Sequence, residues 1–151
     1  MILIAHRGNL DGPNPKDENS PDYIKHAIKQ EYQVEIDLRI SHDNKLYLGH
    51  DVAQYEIDLS FLVDNSFDLW IHCKDNGALT VCSDVLGLNY FWHDIDDYTL
   101  TSQGYVWAYP GKMPVNDFTV MVLPESHWDN LDIKNFGSYG ICSDYVKNFI
   151  I

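Results

Sequence analysis

Residues 33–40, Gln-Val-Glu-Ile-Asp-Leu-Arg-Ile, alternate without a break. In a strand, Val34, Ile36, Leu38 and Ile40 share one face, and Glu35, Asp37 and Arg39 share the other. On an isolated hairpin such a charged face would meet water. Here the segment lies between a helical stretch and further apolar runs, so the charged face is expected to point inward. Glu35 and Asp37 are then two like charges roughly 7 Å apart by strand rise. Burying both is costly unless something neutralises them. A hard divalent cation held by oxygens, Mg²⁺ or Ca²⁺, is the simplest answer.

The rest of the chain repeats one order. Ile2-Leu3-Ile4-Ala5 reads as a buried strand ending at His6-Arg7-Gly8, and a polar loop runs from Asn9 to Asn19. Ser20-Pro21 reads as an N-cap and first helical residue. Ile24, Ala27 and Ile28 give the stripe of a helix ending near Glu31. After residues 33–40, a turn at His42-Asp43-Asn44 leads into Leu46-Tyr47-Leu48, a hairpin extension carrying His50-Asp51. Apolar runs follow at 69–73, 90–92, 105–108, 118–123 and 139–142. Several end in a polar group: Lys74, His93, Glu125 and Asp144. Stretches of helical or loop character, 76–86 and 128–136, lie between them. Seven candidate strands in strand-then-helix order predict a parallel sheet, and polar strand ends are what the active face of a β/α barrel requires. Such barrels typically take about 250 residues, and this chain has 151. The expectation is therefore α/β, an abbreviated TIM-type β/α barrel with seven or eight mostly parallel strands and reduced helices, with an open α/β sheet as the alternative.

Residues 1–151 read as a single domain: 45% of them are hydrophobic and there is no low-complexity linker. The formal net charge of −13 repels nucleic acid and anionic bilayers. It favours a small soluble substrate, no nucleic-acid partner and no stable membrane insertion, and leaves oligomeric state open. Any phosphate must be attracted locally. The odd count of three cysteines fits a reducing compartment better than a disulfide scaffold. Met1–Ala5 is too short for the apolar core of a signal peptide, so the expected location is cytoplasmic.

His6 and His50 each follow an apolar strand, one before Arg7-Gly8 and one before Asp51. Phosphodiester cleavage needs a base for the attacking hydroxyl and an acid for the leaving alkoxide. An imidazole with an unperturbed pKa near 6.5 suits both. Arg7, with a two-pronged guanidinium, and Lys74 are suited to hold phosphoryl oxygens.

His6-Arg7-Gly8, Glu18-Asn19-Ser20-Pro21, Glu35-Ile36-Asp37-Leu38-Arg39 and His50-Asp51, in this order and spacing, resemble the signature of the glycerophosphodiester phosphodiesterase family. That family shares its barrel with phosphatidylinositol-specific phospholipase C. The resemblance is close over the first third of the chain. It extends more loosely through Ile71-His72-Cys73-Lys74 and Gly140–Tyr145. It implies hydrolysis of a small phosphodiester, with His6 and His50 as the acid/base pair, Glu35 and Asp37 on a divalent metal, Arg7 and Lys74 on the phosphate, and Glu18 and Asn19 organising the adjacent loop. Two departures stand out. Where the family carries an acidic ligand two residues before the lysine, this chain has His72. Either His72 ligates, which favours Mn²⁺ or Zn²⁺ relative to Ca²⁺, or water or Glu125 fills the position. The distal half is also short, leaving Phe91, Trp92, His93, Trp107, Tyr109 and Glu125 to shape the pocket. A non-catalytic phosphoester-binding domain that retains the site is the alternative.

Overall fold

The computed structural model describes residues 1–127 and 137–149; the stretch 128–136 expected to be helix or loop lies outside them. The seven expected strands all form: β1 (Ile2–His6), β2 (Gln33–Ile40), β5 (Leu69–Cys73), β6 (Tyr90–Trp92), β8 (Val106–Ala108), β9 (Thr119–Val122) and β10 (Gly140–Ser143). Three more were not all foreseen: β3 (Leu46–Leu48) of the hairpin extension, β4 (Tyr55–Ile57) and β7 (Tyr98–Leu100). Helices α1 (Pro21–Lys29), α2 (Leu59–Asp64) and α3 (Asn76–Ser83) complete the longer elements. Ser20 caps α1 by accepting from the Tyr23 N–H, and Asp75 caps α3 by accepting from the Ala78 N–H.

The seven strands run parallel in the spatial order β8-β9-β10-β1-β2-β5-β6. β2 is long enough to pair with β1 near its start and antiparallel with β3 near its end, while its other edge carries β5. β4 extends the hairpin antiparallel to β3, and β7 lies antiparallel to β8. The sheet is thus a curled half-barrel with few helices and partly antiparallel strands, not the closed parallel barrel expected. Its ends, β6 and β7, meet through the Ser102 N–H donating to Tyr90 O at 2.8 Å and the Thr99 hydroxyl donating to Trp92 O at 2.8 Å. No ladder joins them among the described residues. The cause is length. A parallel return needs a crossover of a dozen or more residues, usually a helix. Residues 93–97 alone separate β6 from β7, too few for such a crossover, so the chain turns straight back as β7.

Alternation splits the core in two. Val34, Ile36, Leu38, Leu69, Ile71 and Cys73 face outward and pack under Ile24, Ala27, Leu62, Ala78 and Cys82 of the helices. Ile4, Trp70, Phe91, Trp107, Val120, Val122 and Cys142 fill the inside of the curl. Phe91 and Trp107 lie 4.7 Å apart between ring centroids, and Trp70 and Trp107 5.6 Å. Glu35 and Asp37 are buried on that inner side, as the alternation requires. All three cysteines are free and buried. No helix among the described residues is long and apolar enough to cross a membrane.

The loop after β3 turns on Gly49, whose φ of 146° suits glycine and whose added Cβ would run into the Val52 carbonyl oxygen. Gly49→Ala is expected to cost at least about 1 kcal/mol, read as a lower urea midpoint at unchanged slope. An unchanged midpoint would contradict this loop geometry.

Candidate functional site

Several strands deliver polar groups to the same rim of the curl. β1 delivers His6, β2 Glu35, Asp37 and Arg39, and β5 His72 and then Lys74, while Asp144 follows β10 and Tyr109 follows β8. Behind His6 the backbone turns sharply: Arg7 has φ 54° and Gly8 φ 88°. This left-handed pair folds the Arg7 side chain back over the carboxylates. Its Nε lies 3.0 Å from Asp37 Oδ2 and its Nη1 3.3 Å from Glu18 Oε2. Asn19, also left-handed at φ 63°, grips Asp37 at two points. Its amide donates to Asp37 Oδ2 at 2.9 Å and its Oδ1 accepts the Asp37 N–H at 2.9 Å.

The two histidines are held alike. His6 Nδ1 pairs with Asp144 Oδ1 at 2.8 Å, and His50 Nδ1 with Asp51 Oδ1 at 2.8 Å. With the ring N–H donated to the carboxylate, Nε2 of each is left for proton transfer. His6 Nε2 stands 3.9 Å from Glu35 Oε2. Both histidines line a cleft of about 160 Å³ together with Arg7, Glu35, His72 and Trp107. His50 is positioned by Arg39, whose Nε donates to Gly49 O at 3.0 Å and whose Nη2 donates to His50 O.

Glu35, Asp37 and His72 each offer a ligand atom within 4.8 Å of the others. Burial, then the repulsion of Asp37, raises the Glu35 carboxyl to about 7. Burial pushes Asp37 the same way, but the Arg7 charge and the Asn19 amide outweigh it and leave its pKa lowered. Burial, then Lys74, lowers His72 to about 3, so its 3.5 Å approach to Asp37 Oδ1 is that of a neutral ring. His72 is stacked on Phe91. Asp37 Oδ1 and His72 Nε2 are buried without a hydrogen-bond partner. Two carboxylates, a neutral imidazole and orphaned donor atoms fit a divalent cation.

The remaining candidates fall as follows. Lys74 Nζ lies 3.7 Å from Asp37 Oδ1. Glu18 accepts from the Asn9 amide and the Asn14 N–H. Trp107 both lines the cleft and fills the core, whereas His93 stands behind it, stacked on Tyr109. Glu125 is not part of the Glu35/Asp37/His72 cluster: its Oε1 accepts from the Ser143 hydroxyl at 2.8 Å and the Asp144 N–H at 2.9 Å, and its Oε2 is buried without a hydrogen-bond partner. Sequence reasoning gave no role to Asp144, Arg39 or Asn9, whose amide donates to Asp144 Oδ1 at 2.8 Å. Their signals were position alone: Asp144 ends an apolar run, and Arg39 shares the face of Asp37.

Protonation ties this cluster to stability. His6 has a raised pKa, because its hydrogen bond to Asp144 and the Glu35 charge outweigh burial. Above about pH 6.5, folded Glu35 and His6 retain protons that the unfolded chain has released, so stability falls as pH rises. His72, with its lowered pKa, works the other way only below that value. In EDTA the melting temperature is expected to fall from about pH 6.5 to about pH 8.5, and divalent cation should flatten the fall. A melting temperature that climbs over this interval in EDTA would refute the raised pKa values of Glu35 and His6. No family model, no curated protein and no solved structure matches the chain, so its chemistry is argued from this geometry.

Proposed function

We propose that the chain is a metal-dependent phosphodiesterase acting on a small diester of the glycerophosphodiester kind. What supports the reading above all is convergence. Two aspartate-oriented histidines, the Glu35/Asp37/His72 cluster and two cations arrive from separate strands at one rim. The sequence resemblance supplies the same roles independently.

Arg7 and Lys74 draw the phosphate into a strongly acidic protein and spread the charge that builds on its oxygens. Glu35, Asp37 and His72 would hold a divalent ion, which would supply Lewis-acid stabilisation of the phosphoryl group. One histidine takes the proton from the attacking hydroxyl, and the other gives a proton to the departing alkoxide. Asp144 and Asp51 fix the tautomer of each ring. The nucleophile is water or a neighbouring substrate hydroxyl, the latter giving a cyclic phosphate first.

Phosphorus NMR with glycerophosphocholine and glycerophosphoethanolamine, in Mg²⁺, Ca²⁺ or Mn²⁺, tests this directly. Glycerol phosphate or a cyclic phosphate should appear only with metal, and His6→Ala should slow it by about 10²- to 10⁴-fold. Full activity in excess EDTA would sink the metal role. Calorimetric binding without product under every metal would favour a phosphoester-binding domain, a reading motivated by neutral His72 standing where a third carboxylate is expected.

A further inference from the structure

The rim has two unlike sides. Arg7 and His50 line both the 160 Å³ cleft and a neighbouring hollow of about 280 Å³, so the two spaces meet over these residues. The hollow is polar, lined by Glu18, Asn19, Asp51 and Gln54. Beyond its charged residues the cleft is walled by Trp107, Tyr109, Pro110, Val122 and Leu123. A phosphate over Arg7 and His50 therefore faces amide and carboxylate groups on one side and rings and aliphatic carbon on the other.

We propose that the cleft beside Trp107, Tyr109 and Leu123 is a binding site for a short apolar or aromatic ester arm, so that the substrate is an unsymmetrical phosphodiester; this rests on the phosphodiesterase reading. Size limits the arm. The cleft offers about 160 Å³, and the phosphate edge takes part of it, so a single small ring or short alkyl group suits it best. The floor is closed by Trp107, which packs on Phe91, and by Tyr109, which stacks on His93.

Tyr109 supplies the second observation. Its hydroxyl is buried and has no hydrogen-bond partner. Burial, then the nearby Glu35 and Asp37 charges, pushes its pKa up, so it stays a neutral donor. A buried hydroxyl left unpaired is destabilising, and an oxygen of the bound phosphoester is the acceptor this wall lacks. Leu123 carries a third mark: it sits at φ 44°, a conformation that a leucine adopts at a cost and an asparagine adopts readily.

Phenylphosphonate and methylphosphonate, which cannot turn over, separate the arm from the phosphate. Their affinities would be measured calorimetrically in saturating Mg²⁺ for the wild type, Leu123→Asn and Tyr109→Phe. The wild type should bind phenylphosphonate about tenfold more tightly, as expected for burying one small apolar group, and Leu123→Asn should remove most of that preference while folding normally. Tyr109→Phe should raise the melting temperature of the free protein yet weaken both ligands severalfold, a split that a purely structural tyrosine would not give. Equal affinities for the two phosphonates in the wild type would overturn the apolar-arm site and leave the phosphoester reading standing. No binding of either would defeat that reading, and the arm site with it.

Discussion

Two carboxylates on one face of one buried strand are the constraint around which the rest is arranged. At an effective dielectric of about 20, two charges about 5 Å apart repel by about 3 kcal/mol, before desolvation is counted. The fold answers that load from several directions. Arg7 reaches Asp37 from β1 through a left-handed turn, and Asn19 reaches it from the following loop in the same conformation. Lys74 approaches from β5. Glu35 is left with less help and shifts its pKa upward instead. Two residues that neutralise this charge, Arg7 and Asn19, are thus held in the costly left-handed conformation, as expected of a site preorganised at some expense to stability.

The barrel-like curl is what brings these groups together. Parallel neighbours place their strand ends at one rim, so residues as far apart in sequence as His6 and Asp144 become hydrogen-bond partners. The inner aromatic layer of Trp70, Phe91 and Trp107 supplies a dry floor below the rim. It strengthens every electrostatic interaction above it. The outer layer is covered by helices only along part of the sheet, consistent with a chain too short to follow every strand with one.

Much of this was legible in the sequence. The alternation of residues 33–40 placed Glu35 and Asp37 on the inner face, and the polar ends of apolar runs marked the rim. The signal was strong because a period-two pattern admits one registration of faces. What escaped notice was set by tertiary geometry. β7 is a three-residue strand, Tyr98–Leu100, with two exposed members, and it carries no burial pattern to read. Its antiparallel course, which leaves the barrel unclosed, follows from a loop length rather than from any residue. Arg39 was read only as part of the charged face, because its hold on the Gly49 and His50 carbonyls joins two strands across a turn. Glu125 ended an apolar run as the others do, but one oxygen of its carboxylate is held at the Ser143–Asp144 corner.

The seam between β6 and β7 divides the rim mechanically. β1, β2 and β5, which carry His6, the carboxylates and His72, each have ladder partners on both edges. β6, which leads into His93, has a ladder on its β5 edge, and its other edge meets β7 through side-chain and single backbone bonds. Drift at that seam would reach the wall against which an ester arm would rest through His93, which stacks on Tyr109, while the charged cluster stays anchored in its sheet. Such a molecule can change what it accepts without rebuilding how it would react, so its selectivity and its chemistry are free to evolve at different speeds.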